Sequence, residues 1–191
     1  MFHLTNHEVF AIASRAGGID GAQIATWVMP VTLVPERMRV VVAMSPRNRT
    51  FSLVQQSGRM VLHLLAEGQE DLIGRLGLVS AHDRPDKMAG IPLERTASGL
   101  PRIPGTCGSA ELRVVDRLDS GDRVILVCDA LEVHPEPDRP PLRHKDALAR
   151  LPPEVAQALA DKRIRDGIRD RALIRDYGTP PPGMPPGPGT R

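Results

Sequence analysis

Apolar residues in this chain fall into short runs punctuated by glycine, proline or charged turns, the pattern of strands rather than of long helices. Val9–Ser14, Ile24–Leu33, Met38–Met44 and Met60–Leu65 are rich in Val, Ile, Leu and Met. Ala110–Leu118 and Val124–Val133 follow, joined by Asp119-Ser120-Gly121-Asp122, a strong hairpin turn. At least six strands are predicted. Short helices fit Thr50–Ser57, with Thr50 as cap and Gly58 as stop, and Gln69–Leu76, which Gly77 can end.

From Pro153 to about Asp176 the apolar positions Val155, Leu159, Ile164, Ile168 and Ala172 recur mostly at a spacing of four among charged residues. This predicts an amphipathic helix with a weak point at Gly167, whose apolar stripe covers either its own subunit or a partner subunit. The segment Thr179–Thr190, TPPPGMPPGPGT, is too rich in Pro and Gly to pack and is expected to be disordered or polyproline-like. The expected organisation is therefore one domain over 1–150, a helical extension over 151–178 and a tail over 179–191. Strands dominate and several lack a polar face, so an antiparallel barrel decorated by helices fits better than a doubly wound sheet.

Composition narrows the function. The 191 residues are 41% hydrophobic, and 25 basic against 23 acidic residues give a net charge of +2. The two signs intermix and aromatics make up only 3%, which argues against a nucleic-acid surface. No run approaches the roughly 18 apolar residues of a membrane span, and MFHLTNHEVF lacks a basic-then-apolar leader pattern, so a cytoplasmic location is expected. Cys107 and Cys128 lie far apart without a CxxC spacing, read as reduced core thiols. The histidines show no ligand-like spacing, so no metal is expected, and His63 in MVLHLL reads as a satisfied strand residue. No GxSxG elbow, GxGxxG turn or P-loop is present. Asp83, Asp86 and Lys87 in AHDRPDK look like a solvated loop. Any reactive centre would then be a cofactor's.

Gly21–Arg59 offers a place to hold one. Gln23-Ile24-Ala25-Thr26-Trp27 sets a small residue between hydrogen-bonding neighbours, so the backbone can approach a planar heterocycle. Further on, Ser45-Pro46-Arg47-Asn48-Arg49-Thr50 ends a strand and opens a helix, combining free N–H groups, hydroxyls and guanidinium groups suited to a phosphate monoester. The plain alternative is a capped helix beside a polar loop.

This ordered pair resembles the flavin reductase-like family of FMN-binding split β-barrels, which includes flavoredoxins and short flavin reductases. The family's N-G-M-T-A-S-W-V-T-P-V-S-F-x-P-P pattern runs here as Gly21-Ala22-Gln23-Ile24-Ala25-Thr26-Trp27-Val28-Met29-Pro30-Val31-Thr32, then Pro35. Its S-G-x-F-x-V-N-V-L appears as Ser57-Gly58-Arg59-Met60-Val61-Leu62-His63-Leu64-Leu65. Gln69–Gly77, Lys87-Met88-Ala89-Gly90-Ile91 and Gly121-Asp122 match its later helix, K-F-A-G-I and G-D-H. The resemblance spans roughly residues 8–135.

The resemblance implies a homodimer of antiparallel six-stranded split β-barrels with FMN, or FAD as the alternative flavin, near the subunit interface. By position, Gln23, Ile24, Ala25, Thr26 and Trp27 would line the ring and ribityl chain, and Ser45, Arg47, Asn48, Arg49 and Thr50 the phosphate, with Arg75 a further candidate. NAD(P)H would supply hydride, and a flavin, a ferric complex or a redox protein would receive the electrons. Departures touch the nicotinamide side: family phenylalanines are Met60, Leu76 and Met88, and the His after Gly-Asp is Arg123. The rival implied function is a flavin-binding electron carrier without its own nicotinamide site. A third reading is a barrel for another phosphorylated ligand, or for none.

Overall fold

The computed structural model describes residues 4–80, 82–136 and 138–174. Strands β1 (Phe10–Ala16), β2 (Ile19–Ala25), β3 (Val28–Pro30) and β4 (Arg39–Met44) lead into helix α1 (Arg49–Ser57) and strand β5 (Arg59–Leu64). Helix α2 (Asp71–Gly77) precedes the short strands β6 (Glu94–Arg95) and β7 (Pro101–Arg102) and the long hairpin β8 (Gly108–Asp119) and β9 (Val124–Pro135). Helices α3 (His144–Arg150) and α4 (Pro153–Asp170) follow. Seven strands form one sheet in the order β2-β1-β5-β8-β9-β4-β3, and β6 and β7 form a separate ribbon. All pairings are antiparallel.

Strands β2 and β3 are the two edges of the seven-stranded order, yet only Thr26 and Trp27 separate them in the chain. A flat sheet of seven strands would hold its edges about 29 Å apart. Three Cα steps reach at most about 11 Å. The sheet must therefore curl until its edges meet, giving the expected split barrel with the split beside Thr26 and Trp27. The hairpin β8–β9 bends to allow this at two register shifts, Glu111/Leu112 and Val114/Asp116.

The curl separates two cores. On β1, Ala11 and Ala13 face outward with Leu72, Ile73 and Leu76 of α2 and Leu151, while Ile12 faces inward with Val42, Met44, Met60, Leu112 and Leu126. Phe51 and Val54 of α1 plug the inner core. Helix α1 lies close on β2 because Gly21 carries no side chain: a Cβ there would sit 2.6 Å from Leu53 Cδ1 and 3.6 Å from Thr50 Oγ1. Gly58 ends α1 in the left-handed region, φ 67°, with its N–H on Val54 O. His63 is fully buried. Its Nδ1 donates to Ala11 O (3.1 Å), its Nε2 accepts from Ile103 N–H (3.0 Å), and burial lowers its pKa to about 4.

Several expectations are corrected. The strand expected over Ile24–Leu33 is two strands, β2 and β3, because Thr26 and Trp27 carry the chain from one edge to the other. The first five residues of β2, Ile19–Gln23, are hidden in the sequence by Asp20 and Gly21. The main sheet therefore has seven strands where the resemblance implied a six-stranded barrel, within the expectation of at least six. Thr50 is not the cap of α1; the N-cap is Asn48, which makes no side-chain capping bond, and Thr50 is buried against β2. Gly77 is the last residue of α2 rather than its stop. Lys87 is buried, and its Nζ donates to the carbonyls of Leu76, in the last turn of α2, and of Val79, just past it. Cys107 is only half-buried, while Cys128 lies in the inner core.

Helix α4 runs unbroken through Gly167 to Asp170, then tightens into a single turn at Arg171–Leu173. Val155, Ala156 and Leu159 pack on the outer core of the same subunit, while Ile164 and Ile168 stay exposed. The expected end of that helix at Asp176 and the Pro/Gly tail lie outside the described residues. No helix among the described residues is long and apolar enough to cross a membrane.

Replacing Gly21 with Val should force α1 off β2 and cost about 1–3 kcal/mol, the range for overpacking a filled core. Urea unfolding of the two proteins checks this; an unchanged midpoint would mean that α1 has room to yield.

Candidate functional site

The split between the barrel edges opens into a cavity of about 1120 Å³. Strand β2 delivers Gln23, Ile24 and Ala25, the edge crossing delivers Thr26 and Trp27, and the β4–α1 junction delivers Ser45, Arg47, Asn48, Arg49 and Thr50. These ten residues all line this one cavity. Arg75 does not line it; its guanidinium donates to Ala89 O at 2.6 Å.

Two kinds of unmet hydrogen-bonding capacity belong to residues that line this space. Gln23 is 6% exposed, and its Oε1 is the one buried side-chain oxygen or nitrogen without a partner among the described residues. Such an acceptor carries a desolvation cost that an N–H or O–H from a ligand would relieve. At the start of α1 the chain makes only Asn48 N–H to Ser45 O, Arg47 N–H to Ser45 Oγ (3.4 Å), and the Phe51 and Ser52 bonds to Asn48 O. The N–H groups of Arg49 and Thr50 find no acceptor among the described residues, and the Arg49 guanidinium pairs with no carboxylate there. A helix start with free N–H groups and a cation beside it favours an anion.

Helix α4 forms the opposite wall, together with residues the sequence did not place among the flavin contacts. Asp170 is 4% exposed and accepts from Arg47 Nε (3.0 Å) and Arg169 Nε (2.8 Å), with Arg123 Nη1 at 3.6 Å. The Arg169 bond first, then the charges of Arg169, Arg47 and Arg123, hold its carboxyl below the ordinary value against the opposing effect of burial. Arg123 also lies over the Trp27 ring, 5.3 Å from its centroid. Lys87 lines the cavity as well, its pKa pushed down to about 8 by burial and by nearby Lys162. In all, nine lysines and arginines face three aspartates across this space. It is built for negative charge.

Residues 2–150 match the family model described as the flavin reductase like domain. The chain belongs to the flavin reductase-like family. Helix α4 lies outside the matched span. The diflavin flavoprotein A 1 of Synechocystis sp. is 27% identical over 119 residues, 62% of this chain but only 20% of that protein. This chain thus corresponds to about a fifth of the length of such relatives. The actinorhodin polyketide dimerase of Streptomyces coelicolor is 29% identical over 124 residues, covering 65% of this chain and 67% of that protein. An FMN-binding protein from Thermus thermophilus, solved with p-hydroxybenzaldehyde bound, shares the fold at a TM-score of 0.68 and 22% identity over 75% of this chain and 84% of that one.

The sequence missed Asp170 and Lys87 as cavity residues because each reaches the cavity by tertiary contact alone, whereas Arg123 is flagged in the sequence by its place after Gly-Asp. The one signal for Lys87 was its place in KMAGI. Asp170→Asn should loosen α4 and cost about 1–3 kcal/mol, because charge-assisted bonds to solvent-reachable guanidiniums are lost. The carboxyl's pKa is depressed in the fold, so its contribution is complete at neutral pH and fades as pH falls through the carboxylate range. Urea unfolding at pH 7 and at acid pH should therefore show the variant's deficit shrinking; a deficit constant with pH would contradict this role.

Proposed function

We propose that this chain binds FMN in the split of the barrel and acts as a flavin reductase-like oxidoreductase, taking hydride from a reduced nicotinamide nucleotide. The observation that carries this is the convergence of Gln23–Trp27 and Ser45–Thr50 on one cavity with an unpartnered buried acceptor, Gln23 Oε1. Family membership supports the same reading.

The residues fit the cofactor. The N–H groups of Arg49 and Thr50, the Arg49 guanidinium and the terminal nitrogens of Arg47 would hold the phosphate; those Arg47 nitrogens make no hydrogen bond among the described residues. Gln23 Oε1 would accept from the polar part of the flavin, and the Ala25–Trp27 backbone would border the ring. When bound, FMN supplies the two-electron chemistry that these side chains lack. The protein's part is placement, exclusion of water by α4, and a positive field that favours the flavin's anionic forms and an anionic donor. The electron acceptor would be a free flavin, a ferric complex or a redox protein.

Arg123 over Trp27 favours one rival, a flavin-binding electron carrier, because the guanidinium covers a ring face at the site's edge. Stopped-flow mixing of the FMN form with NADH and NADPH separates the two: prompt bleaching of the flavin supports the reductase, and bleaching only with a donor protein supports the carrier. For the phosphate site, Arg49→Ala should weaken FMN by about 1.5–3 kcal/mol, roughly tenfold to a hundredfold, and leave riboflavin unchanged. Fluorescence titration reads both; an equal loss for both flavins would place the phosphate elsewhere.

We also propose a homodimer. Met29, Val31, Leu33, Val34 and Met38 are exposed apolar residues gathered within ten positions of the chain after Trp27, with Leu33 fully exposed. Clusters of this kind mark interfaces. Sedimentation should give a dimer, and Leu33→Asp with Val34→Asp should give a monomer; a wild-type monomer would overturn the proposal.

A further inference from the structure

The cavity continues past the phosphate-binding end toward α3, where the cations Lys145 and Arg163 gather beside two imidazoles. His7, His144 and Lys145 line it from the chain start and α3, and Arg163 lines it from α4. Backbone bonds fix the frame: His144 N–H donates to His7 O at 2.8 Å, and Lys145 N–H to Asn6 Oδ1 at 2.8 Å. His144 is held below its ordinary pKa by burial and then by the charges of Arg163, His7 and Lys145. The carboxylates nearby are engaged elsewhere. Asp146 accepts from Asn6, Glu8 pairs with Arg143, and Asp166 with Lys162 and Arg169. Arg163 itself has no ion-pair partner among the described residues.

Like charges crowded on one cavity wall without opposing acids are unfavourable unless an anion comes between them. The first cluster, around Arg47 and Arg123, already holds the internal carboxylate of Asp170. The second holds none. Arg163 and Asp170 lie seven residues apart on α4, two turns and about 10 Å along one face of the helix. A single phosphate monoester cannot serve both ends.

We propose that His7, His144, Lys145 and Arg163 form a second anion subsite, which takes a phosphate at the adenosine end of a dinucleotide. This rests on the proposed FMN site and extends it. Lys145 contributes a point charge whose Nζ also donates to Leu4 O at 2.6 Å, and Arg163 a planar fork suited to phosphate oxygens. Arg163, alone of the four, comes from the helix beyond the family-matched span. Two sources share the chemistry: the 2′-phosphate of NADPH, and the pyrophosphate carried by FAD or NADH.

The test is calorimetric titration of the FMN-loaded protein with adenosine 2′,5′-bisphosphate and with adenosine, in wild type and in Lys145→Ala/Arg163→Ala. Both side chains are exposed, so the variant should fold, and FMN titration verifies this. The bisphosphate is expected to bind at least about tenfold more tightly than adenosine, and the variant to lose about tenfold for the bisphosphate alone. A preference for NADPH over NADH that the variant erases assigns the 2′-phosphate. A preference for FAD over FMN that it erases assigns the pyrophosphate. Equal binding of bisphosphate and adenosine, or an unchanged bisphosphate affinity in the variant, overturns the subsite. Failure of FMN to bind at all overturns the flavin site instead, and the same titration on unloaded protein still reads the subsite.

Discussion

Everything in this molecule depends on the crossing at Thr26 and Trp27. Two residues join the opposite edges of a seven-stranded order, so the sheet has no option but to curl and bring those edges together. Closure by chain connection rather than by a ladder leaves a split, and the split is the cavity. Backbone at the crossing contributes little to the sheet apart from Ala43 N–H on Trp27 O, so it is free to border a ligand. Gly21 then decides how near α1 comes. With no Cβ in the way, α1 closes on β2, and Gln23 and the start of α1 line one space.

Helix α4 walls one side of the groove and charges it. Its first half is fixed by apolar packing of Val155, Ala156 and Leu159, and its last turn by Asp170 among three arginines. Between these anchors the helix presents cations to the cavity. The fastening is thus split between a hydrophobic end that ignores pH and salt and an ionic end that does not. An anionic ligand arriving at Arg47 and Arg123 meets guanidiniums already oriented by a carboxylate, and it shares them with that carboxylate.

Local pattern carried much of this. The hairpin at Asp119–Asp122, the strands over Met38–Met44 and Met60–Leu65, and the stop at Gly58 were legible because periodicity and turn chemistry agree there. The ten residues of the two site segments meet at the cavity as the ordered motifs implied. What failed was tertiary. Ile24–Leu33 reads as one apolar run, and nothing local says that the chain changes edge in its middle. Thr50 has the chemistry of a cap, but the approach of α1 to Gly21 buries it. His144–Arg150 was not foreseen as a helix, since it is a short charged segment whose main anchor is the buried Ala147. Asp170, 123 residues from Arg47 in the chain, could not have been assigned to it from sequence.

The central claim is that the split of the barrel holds FMN with its phosphate on the start of α1 and its ring along Gln23–Trp27. A crystal structure of the FMN-loaded protein tests it most directly. The account predicts phosphate oxygens within hydrogen-bonding distance of the Arg49 and Thr50 N–H groups and a flavin group donating to Gln23 Oε1. A flavin bound outside the split, or one inside it with its phosphate turned toward Lys145 and Arg163, would contradict it.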